Sequence, residues 1–154
     1  MKWSKLKSLV EERFADSLGK RITINSTRYG NCSCGRAWIT VDKEEIANFC
    51  TRAHFNNKAG IPPSEDAKSN FEKMPVGYGE LSRQDAYQSC FEYIHSLTLD
   101  QAILDEDPLI QTLAILDKKL GRKKMMTLDR AHLHPMALKL LEVRLVCEGL
   151  SEKK

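Results

Sequence analysis

The stretch "RITINSTRYGNCSCGRAWITV", Arg21 to Val41, decides the fold. Ile22 and Ile24 alternate with Thr23 and Asn25, and Ile39 and Val41 alternate with Trp38 and Thr40, the period of two that marks half-buried strands. Between the two runs, "YGNCSCG" supplies Gly30, Asn31 and Gly35, residues that accept positive φ, so the chain can reverse there as an antiparallel hairpin. The following segment, "VDKEEIANFCT", reads two ways. Asp42 and Glu45 make a capping box for a helix presenting Ile46, Phe49 and Cys50, or Asp42 and Lys43 turn the chain into a third strand with Ile46, Asn48 and Cys50 on one side. The residues leave 44–51 open between helix and strand and lean towards the strand.

On either side of the hairpin the apolar period is that of a helix. Trp3, Leu6, Leu9, Val10 and Phe14 form one stripe between Lys2 and Ser17, and Gly19 supplies a stop. Ser82 caps a helix carrying Ala86, Tyr87, Cys90, Phe91 and Ile94, and Thr98 caps a short one through Ala102 and Ile103. Pro108 opens a third, with Leu109, Leu113, Leu116 and Leu120 on one face before Gly121. A last helix starts near Pro135 and buries Leu138, Leu141, Leu145 and Val146. Asn56 to Gly79, with Gly60, Pro62, Pro63, Pro75, Gly77 and Gly79 and few periodic apolar residues, reads as a long mobile loop at 56–79. The expected fold class is α+β: an N-terminal helix, a small antiparallel β-meander and a helical C-terminal half, in a single domain across 1–154.

Three segments, "MKWSKLKSLVEERFADSL", "STRYGNCSCGRAWITV" and "DPLIQTLAILDKKLGRKKM", resemble an uncharacterised family of short bacterial cytosolic proteins of unknown function, and the likeness covers most of the chain. It implies no activity. In those relatives the turn after the Trp-bearing strand looks like Asp-Gly where this chain has Asp42-Lys43, so the resemblance favours a third strand.

Composition bounds the function classes. At 154 residues the chain can bury a core without metal or disulfide staples, and 42% apolar with 29% charged residues is ordinary for a globular domain. No apolar run approaches the roughly 18 residues that cross a bilayer, and the opening residues lack the apolar centre of a secretion signal. A cytoplasmic protein is expected, and five cysteines are then expected to be reduced thiols. With 24 Lys+Arg against 21 Asp+Glu, the +3 net charge does not by itself mark a nucleic-acid binder. Its distribution is more telling, because Lys118, Lys119, Arg122, Lys123 and Lys124 lie close together and form a basic edge.

Cys32, Cys34, Cys50 and His54 offer three thiolates and an imidazole, the donor set of a structural zinc site, but one residue between Cys32 and Cys34 is tighter than zinc modules favour. The plainer reading makes Cys32 and Cys34 turn residues and Cys50 a small core residue. Arg28 and Arg36 flank the loop and would favour a thiolate there, yet no motif of a cysteine enzyme is present. His132 and His134 share a face if extended, though two ligands hold a metal weakly, and Asp105 to Asp107 read as the lead into the Pro108 helix. The basic edge suits phosphates or another anionic partner, against the plainer reading that its cations complement the end of the Pro108 helix. No phosphate-binding glycine loop is present.

The sequence therefore points to a non-catalytic binding or regulatory module without a cofactor, using Arg28, Arg36, Lys118, Lys119, Arg122, Lys123 and Lys124 towards an anionic or protein partner, nucleic acid included, and no membrane. Homo-oligomers are compatible with it. The alternative is a thiol- or zinc-dependent enzyme, or a zinc-stabilised domain, built on Cys32, Cys34, Cys50 and His54.

Overall fold

The structure, a computed structural model, describes residues 1–30 and 34–150. The fold is α+β, and its contacts cluster into two compact units: Arg21–Gln88, and Met1–Lys20 together with the chain from Ser89 onward.

The Arg21–Gln88 unit is built on a meander of β1 (Ile22–Arg28), β2 (Gly35–Val41) and β3 (Glu44–Cys50), paired antiparallel in the order β1-β2-β3. The third strand is therefore real, and its turn shows why a helix did not form. Asp42 and Lys43 both take positive φ, 51° and 70°, the backbone of a two-residue hairpin turn that glycine normally occupies. Arg21 holds Asp42 there with a fork, Nε to Oδ1 at 2.7 Å and Nη2 to Oδ2 at 2.6 Å, while the Asp42 N–H donates to the Arg21 carbonyl at 2.8 Å. At the other end of the sheet, a Cβ on Gly35 would lie 2.0 Å from the Thr27 carbonyl oxygen, so only glycine lets β1 and β2 close up.

Ile22, Ile24, Ala37, Ile39, Ala47 and Phe49 are buried from the three strands. A register shift between Ile39 and Thr40 adds Ile46 to the buried set, so Ile46 does not keep company with Asn48 and Cys50 as strict alternation implies. Two helices follow, α2 (Thr51–Lys58) and α3 (Glu65–Glu72). The segment 56–79 thus holds the end of α2 and all of α3, and reading it as one loop is corrected. Ser64 caps α3, its Oγ accepting from Ala67 N–H at 3.2 Å with Glu65 and Asp66 in the first turn, but no α3 residue is buried, so no apolar stripe announced it.

The division between the units falls within α4 (Arg83–His95), whose start is capped reciprocally by Ser82 and Asp85. The second unit also contains α1 (Trp3–Glu12), α5 (Leu99–Ile103), α6 (Pro108–Leu116), α7 (Arg122–Thr127) and α8 (Pro135–Cys147). α6 is its centre, with every residue from Leu109 to Leu116 buried, and α5 and α8 pack on it. Asp107 starts α6, accepting from Leu109 N–H at 2.9 Å and Ile110 N–H at 3.0 Å. The chain just after α1 clips onto the end of α6: Ala15 N–H donates to the Leu116 carbonyl and Lys118 N–H to the Arg13 carbonyl, both at 2.8 Å. α8 buries Met136, Ala137, Leu140, Leu141, Arg144 and Leu145, whereas Val146, expected inside, is 60% exposed. The buried stripe follows 136/137, 140/141 and 144/145, which places Arg144 on the buried face and Val146 off it. Among the described residues no helix is long and apolar enough to cross a membrane.

Candidate functional site

The basic edge begins where α6 ends. Asp117 closes that helix, and its carboxylate accepts the Tyr93 hydroxyl and, at 2.8 Å, the Lys119 N–H. Burial, then the bond to Asp117, drives the Tyr93 hydroxyl far above its usual pKa, so it stays a donor. Arg144 reaches the same turn from α8. It donates through Nη1 to the Ile115 and Asp117 carbonyls at 2.7 and 2.6 Å and through Nη2 to the Leu120 carbonyl at 2.8 Å. Ile115 lies in the last turn of α6, while Asp117 and Leu120 belong to the turn that follows, and a planar guanidinium with diverging N–H groups can serve all three at once. Burial depresses the Arg144 pKa, while Glu148, with Oε1 3.6 Å from Nε, and Asp117 support its charge. The loop carrying Lys118 and Lys119 is therefore fixed from beneath.

α7 places the remaining cations. Arg122 and Lys123 open it, so for these two the reading in which they complement a helix C-terminus is corrected: they stand at the positive end of α7's dipole, whereas Lys124 already belongs to its last turn. Arg122 lies 3.7 Å from Glu148 and Lys124 pairs with Asp100, whereas Lys118, Lys119 and Lys123 are exposed with no ion-pair partner among the described residues. Lys124 and Asp100 also rim a cleft of about 290 Å³ floored by Ile103, Leu104 and Leu128.

Arg28 and Arg36 belong to the other unit and do not act together. Alternation puts Arg28, opposite Gly35, on one face of the sheet and Arg36, opposite Thr27 and Cys50, on the other. On the Arg36 face the strands line up in rows: Thr23, Thr40 and Glu45; Asn25, Trp38 and Asn48; Thr27, Arg36 and Cys50. Arg36 runs along this face over Trp38, its Cζ 4.0 Å from the ring centre, to pair with Glu45. Arg52, just beyond β3, lies 5.3 Å over the Tyr29 ring, and the Tyr29 hydroxyl is 4.0 Å from the Cys50 thiol. Sequence reasoning missed this cluster because Tyr29, Trp38 and Arg52 share no strand. The hairpin register was the signal that could have found it.

Of the proposed metal ligands, Cys32 lies outside the described residues. Among the described residues no three His, Cys, Asp or Glu side chains gather as a metal site. Both His54 nitrogens face other groups, Nδ1 the Gly79 carbonyl at 2.8 Å and Nε2 the Asp85 carboxylate at 3.5 Å. His134 caps α8, its Nδ1 accepting from Met136 N–H at 3.0 Å. The buried Cys90 thiol is pushed up to about 12 by burial and by Asp107, which leaves it neutral and unreactive.

A scan against protein-family models matches residues 2–145 to the SF0329 protein family, and the chain belongs to that family. No curated protein and no solved structure gave a significant match.

Proposed function

We propose that the chain is a binding module whose basic edge, Lys118, Lys119, Lys123 and their neighbours, receives an anionic partner. One observation carries this reading: two consecutive cations, Arg122 and Lys123, open α7, where the helix dipole opposes them. Cations at that place do not serve the helix, and Lys118, Lys119 and Lys123 have no carboxylate to serve among the described residues. Arg144 and Asp117 hold the backbone between them in one shape, so an arriving anion meets cations on an ordered loop. Arg28 is left out of this site.

The test is calorimetric titration with inorganic polyphosphate at two salt concentrations, comparing wild type with a Lys118→Gln, Lys119→Gln, Lys123→Gln variant. Wild-type binding should weaken steeply with salt, and the variant should bind more weakly with a shallower salt dependence. Equal titrations for the two proteins would sink the proposal.

A further inference from the structure

The Arg36 face of the sheet sets aromatic rings among its threonines, asparagines and Glu45. It holds two aromatic rings, each carrying an arginine, and an asparagine on either side of the indole. We infer that this face binds single-stranded nucleic acid, with unpaired bases stacked against the Trp38–Arg36 and Tyr29–Arg52 platforms. A guanidinium lying on an aromatic ring presents a second flat surface outward, and both surfaces accept a base irrespective of its identity. Glu45 neutralises Arg36, but the exposed Arg52 has no carboxylate partner among the described residues, so its charge is available to a phosphate. Tyr29 continues the pairing four residues beyond Asn25, so the Trp38 and Tyr29 platforms lie two rows, roughly 13 Å, apart, a span that an extended single strand crosses with an intervening nucleotide.

A duplex hides its base faces and would not use these platforms, and an acidic peptide would engage Arg52 without needing Trp38. The proposal is independent of the basic edge, which acts through charge alone.

The experiment measures fluorescence anisotropy of a labelled oligothymidylate of about 12 nucleotides, a length within the range of known single-strand sites. The duplex of the same length serves as competitor, and polyphosphate binding is read separately by calorimetry. Trp38→Leu and Arg52→Gln should each weaken the single strand by about tenfold, Trp38→Phe should restore most of the loss, and Trp38→Leu should leave polyphosphate affinity unchanged. Circular dichroism of each variant shows whether the sheet is intact, and Arg52→Gln, at an exposed position, decides the matter if Trp38→Leu does not fold. Absence of single-strand binding, or binding indifferent to Arg52→Gln and to whichever Trp38 variants fold, overturns the inference. If polyphosphate binds and the oligonucleotide does not, the anionic reading of the basic edge survives alone. If neither binds, both fall.

Discussion

Arg144 and the lysines of the basic edge carry the same charge, and they are put to opposite uses. Arg144 is 2% exposed and its Nη1 and Nη2 groups go to the carbonyls of Ile115, Asp117 and Leu120, so its charge serves the fold. The side chains of Lys118, Lys119 and Lys123 are exposed and make no ion pair among the described residues. The difference teaches that counting cations says little until each one's partner is known. A buried cation with its acceptors in place is part of the scaffold; an exposed one without them is available to a ligand.

The sharpest way to break this comparison is to remove the buried cation. Arg144→Ala takes the guanidinium from three carbonyls, of which that of Asp117 keeps only the Leu120 N–H, and should lower stability by about 3–5 kcal/mol, read as a fall in the urea midpoint. A loss below about 1 kcal/mol would mean the socket is not structural. Next comes Tyr93→Phe, which removes the hydroxyl from the Asp117 carboxylate and should lower stability by about 1.5–3 kcal/mol in the same measurement.

The exposed cations should respond in the other direction or hardly at all. Lys123→Gln removes a charge from the unfavourable end of α7 and should leave stability unchanged or raise it by up to about 0.5 kcal/mol, checked by thermal melting. The smallest effect belongs to Arg21 and Asp42, an exposed pair at the hairpin turn. The Arg21 fork holds the Asp42 pKa below its usual 3.8, so the folded state favours the carboxylate. Its contribution is present above pH 3.8 and lost as pH falls below it, and Asp42→Asn should make wild type and variant converge there in an acid-unfolding series.

How much of this was legible depended on where the signal resided. Ile22, Ile24 and Ile39 announced their strands because burial on one face imposes a period of two, and Leu109 and Leu113 announced α6 because burial imposes the helical period. α3 buries nothing and imposed no period, so only the cap at Ser64 marked it. α7 was hidden for a related reason: of its residues only Met125 is buried. With α7 unseen, its cations were assigned to the end of α6, when Arg122 and Lys123 open a helix of their own. Arg28 and Arg36 lay on either side of the same turn in sequence, and only the pairing register shows that they occupy opposite faces. The Tyr29–Arg52 and Arg36–Trp38 contacts arise across strands and beyond a strand end, where neighbours in space are not neighbours in sequence.

The most direct test of the claim that the basic edge serves a ligand and not the fold joins two readings on one protein. The Lys118→Gln, Lys119→Gln, Lys123→Gln variant is titrated with inorganic polyphosphate and melted thermally beside wild type. The account predicts an affinity loss of about tenfold or more at low salt with a melting temperature within about 2 °C of wild type, since each exposed charge contributes little to stability. An unchanged affinity with a melting temperature lowered by several degrees would contradict it, for those lysines would then belong to the scaffold as Arg144 does.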